Sequence, residues 1–220
     1  MTDGPRTGLD HPRAVDILTT EHWSLLSTRS LGYQEILGRA TIFIAIVSGV
    51  IVSLALLAQA TRFGRESMVL GVLLISVALF IGVTTFVRTV VINFEDARWV
   101  AGITLLRHAY LRIVPELEEF FITDLEFNTD PRSLAHGSPQ RMRTLAFSLT
   151  TTSGIVAALN SVLAGAFASG VCAIANASLA MDAMVGGGVS IVSAGLHVWY
   201  AARFRKHHVP TQHQQRPDAR

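Results

Sequence analysis

Two long uncharged runs dominate the pattern of apolar and polar positions. Ala40 to Thr61 and Ser67 to Val87 hold no charged residue and are rich in Ile, Leu and Val. A helix needs about 20 apolar residues to cross the hydrocarbon core, so each run predicts a span. The link Arg62-Phe63-Gly64-Arg65-Glu66 makes them a tight hairpin. A third uncharged stretch, Thr144 to Met181, is milder and consists mostly of Ala, Ser, Gly and Thr. It predicts a span over Leu145 to Ala168 and a short link to Asp182. A fourth span follows over Ala183 to Ala202, opening on Gly186-Gly187-Gly188 and closing on Trp199-Tyr200, aromatic residues suited to the headgroup level. The last two runs are weakly apolar alone, which favours insertion as a pair.

The stretches between the runs read as helix. Asp10-His11-Pro12 predicts a helix start, with proline tolerated in the first turn. Trp23, Leu26, Ser30, Tyr33 and Leu37 then follow at helical spacing, so the head helix runs into the first span. Its apolar face reads as an amphipathic stem, with a ligand-sensing aromatic face as the alternative. After Arg88, residues Trp99, Ile103, Leu106, Tyr110, Ile113, Leu117 and Phe120 alternate in steps of four and three. That seam predicts helix–helix packing, most simply on the head helix and otherwise between copies. Pro115 interrupts it and predicts a kink or a fresh start, with Glu116, Glu118 and Glu119 near the new N-terminus. Asn128-Thr129-Asp130-Pro131 and Gly137-Ser138-Pro139 mark a loop. The expected organisation is a head (1–39), a transmembrane hairpin (40–87), a helical segment (88–144), a second hairpin (145–202) and a disordered tail (203–220). The fold class is all-α: a polytopic membrane protein with four transmembrane helices and a cytosolic helical bundle.

Composition agrees. Half of the 220 residues are hydrophobic, 15% are charged, and mean hydropathy is +0.42; soluble domains carry about 25% charge. A net charge of +2 gives no basis for nucleic-acid binding. Cys172 is the single cysteine, so no intrachain disulfide forms. The first 39 residues are charged throughout, unlike a secretory n-region, and the run before Ala58-Gln59-Ala60 is too long for a signal h-region. Of the 18 basic residues only Arg62 and Arg65 fall outside the head, middle segment and tail. The positive-inside rule therefore places those three parts, and both ends of the chain, in the cytoplasm.

Candidate chemistry is sparse. Glu95-Asp96 and the acids from Glu116 to Glu126 could pair as carboxylates, but a solvated helix face with Arg98, Arg107 and Arg112 as partners is the simpler reading. His207, His208 and His213 lie in a tail without the fixed geometry a metal needs. His22 and His108 could form a proton-sensing pair, though a structural role is simpler. Asn160 is the most polar residue within a span and His197 lies near the end of another. A Ser161–His197 hydrolase dyad can be drawn but lacks a motif. No acidic or basic residue stands at mid-depth in a span, which argues against a proton- or sodium-coupled carrier. No catalytic, cofactor or metal residues are assigned.

Small residues give a clearer signal. Ser153, Ala157, Ser161, Gly165 and Ser169 recur every fourth position, as do Thr41, Ala45, Gly49 and Ser53, and Gly186, Ser190 and Ala194. Such rows let helix backbones approach closely, so they read as packing faces, with a polar pore wall as the sharper alternative. The candidate helix-packing residues are Ser153, Ala157, Ser161, Gly165, Trp99, Leu106 and Tyr110.

Ile17-Leu18-Thr19-Thr20-Glu21-His22-Trp23, Glu95-Asp96-Ala97-Arg98-Trp99 and Leu106-Arg107-His108-Ala109-Tyr110-Leu111 resemble a family of uncharacterised actinobacterial multi-pass membrane proteins. The resemblance covers Ile17 to Arg203 and implies a bacterial plasma-membrane protein, without an activity. In layout alone, the chain also resembles the SLATT two-span effector domains of bacterial conflict systems, from which the extra hairpin departs. The expected function is a non-enzymatic membrane scaffold or interaction module. Its partners are the lipid bilayer and, through the cytosolic helices, a second copy or another protein, with no nucleic acid, no known small molecule and no cofactor. An oligomeric pore gated by those helices is the alternative.

Overall fold

The computed structural model describes residues 9, 11–61, 64–121 and 151–208. All regular structure among them is helical. Helix α1 spans Ala14–Thr61, α2 Arg65–Ile113, α3 Thr152–Ile174 and α4 Leu179–His208, with a short 3₁₀ helix at Pro115–Phe120. All four α-helices are long and apolar enough to cross a membrane, and α4 is the least covered by protein. This is a membrane-embedded, all-α chain. The expected loop at 128–139 and the tail beyond 208 lie outside the described residues, as does Asp10.

The ends of the helices follow local chemistry. α1 begins two residues after Pro12, where the Ala14 amide donates to the His11 carbonyl (2.8 Å) and the Arg13 amide to His11 Nδ1 (3.1 Å). Asp16 then stands in its first turn, where the helix dipole favours a negative charge. The head runs into the first span without a break, and only residues 62–64 separate α1 from α2. α2 stops before Pro115, whose ring pushes Val114 out of the helical region to φ −138°. Thr151 caps α3 by accepting from the Gly154 amide at 3.3 Å. α3 therefore begins later and ends later than the expected 145–168; residues 145–150 are not described. It closes on Asn176 at φ 58°, a left-handed position that asparagine tolerates. Ser178 then opens α4 by accepting from the Met181 amide at 3.3 Å, so the fourth helix begins ahead of the expected Ala183.

The described residues fall into two compact units. The first joins residues up to Ile36 with those from Ile92 to 121; the second joins Leu37–Val91 with 151–208. In the second, Ala40, Phe43, Val47 and Val50 of α1 cluster with Ile75, Ala78, Phe86 and Val90 of α2 and Val156 and Leu163 of α3. Apolar side chains such as Ile42, Ile51, Phe80 and Ile191 point away from this core and are more than half exposed. Lipid is the medium in which that surface costs least.

Candidate functional site

In the first unit the covered line of α1 is Ala14, Leu18, His22, Leu25, Arg29, Gly32 and Ile36. The expected face is thus displaced by one residue: Trp23, Ser30, Tyr33 and Leu37 are exposed, Trp23 at 68%, and Leu26 alone of the five is half-buried. Polar contacts and a glycine explain the displacement. Arg29 Nε donates to Asp96 Oδ1 at 2.6 Å, and its Nη2 reaches Asp96 Oδ2 at 3.5 Å. The Tyr33 hydroxyl donates to the same Oδ2 at 3.3 Å, and the guanidinium lies 5.5 Å from the Tyr33 ring centre. Asp96 thus pairs across to α1 rather than with an arginine of its own helix.

The Arg29 side chain is 36% exposed, so solvent screens the pair, and it contributes on the order of 1 kcal/mol. The hydrogen bond that Arg29 donates to Asp96 raises the Arg29 pKa above its ordinary value, against a smaller opposing effect of burial. The sign makes that stabilisation constant through physiological pH, with loss only far into alkali.

Two of the predicted packing residues sit against α1. A Cβ on Gly32 would lie 2.9 Å from the Trp99 ring, so the indole uses space that only glycine leaves. Tyr110 stands beside His22, ring centres 6.0 Å apart. Leu106 is partly covered, while Leu117 and Phe120, expected to extend the seam, are exposed. The helix break at Pro115 turns them off the line. His108 is exposed, and His22 has Tyr110 as its ring neighbour instead.

In the second unit α3 and α4 pack through small residues. A Cβ on Gly165 would collide with Ser190 Oγ and come within 2.6 Å of the Gly186 carbonyl; one on Gly186 would collide with Ser169 Oγ. Ser169 Oγ donates to the Asp182 carbonyl at 2.9 Å. Ser153 and Ala157 are half-covered, and Ser161 and Gly165 are buried. The row on α4 holds at Gly186 and Ser190, then shifts to Ser193 and His197, leaving Ala194 exposed. On α1 the row Thr41, Ala45, Gly49 and Ser53 is exposed throughout, because the larger Phe43, Val47 and Val50 take the covered side.

Sequence reasoning singled out Asn160 and His197 but did not pair them. Asn160 is fully buried and its Nδ2 lies 3.4 Å from His197 Nε2. Ser161 Oγ donates to the Ala157 carbonyl at 2.8 Å, so it forms no dyad with His197. Among the described residues no group of three His, Cys, Asp or Glu side chains is placed to hold a metal. Comparison of the chain with protein-family models, curated proteins and solved structures finds no match.

Proposed function

We propose that this chain is a non-enzymatic scaffold or interaction module of a bacterial plasma membrane. In this reading α1 with α2, and α3 with α4, form two transmembrane hairpins. The first unit is a cytosolic helical bundle on which a protein partner or a second copy docks. The observation that carries it is the first unit itself. Segments far apart in sequence are joined there by Arg29, Asp96 and Tyr33, and the unit still leaves Trp23 and Phe120 more than half exposed. Aromatic side chains of that kind are the usual anchors of protein interfaces. The actinobacterial resemblance and the sixteen basic residues of the head, middle segment and tail support the location and the cytoplasmic ends.

The rival reading is an oligomeric pore, supported by the exposed row Thr41, Ala45, Gly49 and Ser53 on α1. One preparation separates the two. Native pull-down with mass spectrometry should recover a defined partner or extra copies of the chain, and Trp23→Ser with Phe120→Ser should lose it. The same purified protein should stay silent in a planar bilayer. Sustained conductance, with no partner sensitive to the two substitutions, would overturn the scaffold in favour of the pore.

A further inference from the structure

One contact in the second unit does more than fill space. Asn160 Oδ1 is buried and has no hydrogen-bond partner among the described residues. Its Nδ2 faces His197 Nε2 on α4. The other ring nitrogen, Nδ1, lies 2.7 Å from the Ser193 carbonyl oxygen, much closer than the Ser193 hydroxyl at 3.5 Å. A carbonyl can only accept, so Nδ1 carries a proton whether the ring is neutral or cationic. The neutral ring therefore has a bare Nε2, to which Asn160 donates.

We propose that Asn160 and His197 form a proton-operated switch on the packing of α3 against α4, with His197 as the sensing group. A proton from water bonds to Nε2 and converts imidazole to imidazolium; no other bond forms or breaks. Nε2–H then points at an N–H of Asn160, donor against donor. Rotation of the amide would present Oδ1 instead and end its isolation. That rotation swings the larger NH₂ to the place Oδ1 now holds, against Gly82 of α2 and the Phe43 ring of α1. That place borders both Gly82 and the Phe43 ring. A Cβ on Gly82 would collide with Oδ1 and come within 2.6 Å of Phe43. Phe86 closes the other side of the imidazole, edge-to-face at 4.5 Å. The protonated pair must therefore crowd α1 and α2 or separate α3 from α4.

The groups seen against the ring are Asn160 from α3, Phe86 from α2 and Ser193 of α4, none of them titratable. α3 carries no charged residue, and its one thiol, Cys172, lies toward its far end. The α2 charges in this unit are Arg65, Glu66 and Arg88; α1 has Arg39; α4 has Asp182, Tyr200 and the basic run from Arg203. Glu66 and Asp182 stand at the other ends of their helices.

The test uses the full chain in lipid nanodiscs, compared at about pH 8 and about pH 5. Spin labels go on Ala158→Cys and Leu196→Cys, exposed positions of α3 and α4, in a Cys172→Ser background. The distance distribution between them should shift at the lower pH. With His197→Gln, which accepts from Asn160 but takes no proton, it should not. In the chain with His197 intact, ¹⁵N spectra of the ring in contact with Phe86 should show a bare Nε2 at the higher pH and a proton on it at the lower. That arm decides the matter even if His197→Gln does not fold. An unchanged distribution, a shift that persists in His197→Gln, or a bare Nδ1 at the higher pH would each overturn the switch.

Discussion

A glycine in this chain is defined by what stands where its Cβ would be. At Gly82 the space is taken by Asn160 Oδ1 and the Phe43 ring; at Gly49 nothing lies within 4 Å. Added carbon in a filled core costs about 1–3 kcal/mol, whereas alanine in an open helical position gains about 0.5–1 kcal/mol over glycine. Gly82→Ala should therefore lower the melting temperature in detergent by several degrees, and Gly49→Ala should leave it unchanged or raise it. Equal effects at the two sites would show that the contact between α2 and α3 is not formed as described. A fall at Gly49 alone, in protein that is oligomeric, would instead point to packing between copies along α1.

Between residue and molecule lies the continuity of each helix. α2 ends because Pro115 forces Val114 out of helical geometry, and the acids that follow wind into a 3₁₀ turn. Pro115→Ala restores a backbone donor and removes the clash with the preceding turn, a change of about 3 kcal/mol in a helix interior. Far-UV circular dichroism should show added helix, and a cysteine at Leu117 or Phe120 should react more slowly with maleimide as the seam closes over it. No gain of helix would mean that another restraint ends α2. This element also shows what the sequence made legible. Long uncharged runs marked the four helices that are long and apolar enough to cross a membrane, because lipid tolerates little else over that length. The proline revealed the break. The covered face of the head was not legible, since it runs through His22, Arg29 and Gly32, residues no apolar pattern marks. Arg29 is covered by its bond to Asp96, and Gly32 by an indole that arrives from another helix. Asn160 and His197 were each conspicuous, but their pairing depends on how α3 and α4 cross, which sequence spacing does not encode.

At the scale of the whole molecule the decisive property is which ends of the helices face the cytoplasm. Basic residues near spans favour the cytoplasmic side, and the link between α3 and α4 holds none. In a Cys172→Ser background, Ala175→Cys should react with a membrane-impermeant maleimide in intact cells. Glu116→Cys, exposed beyond the end of α2, should react only after permeabilisation. The reverse pattern would invert the assigned orientation, and labelling of both in intact cells would show that the α3–α4 pair does not span.

The small-residue contact between α3 and α4 also sets a clock. Gly165, Ser169 and the Asn160 Nδ2 are shielded only once Gly186, Ser190 and His197 have arrived. α4 has 30 residues, and synthesis proceeds at about 5–20 residues per second, so roughly 1.5–6 seconds separate the two helices at the ribosome. For that interval α3 is a half-built surface, with a buried-type amide facing whatever the insertion machinery offers. Nascent chains stalled within α4 should therefore be the ones held longest at the translocon, and the ones degraded if released.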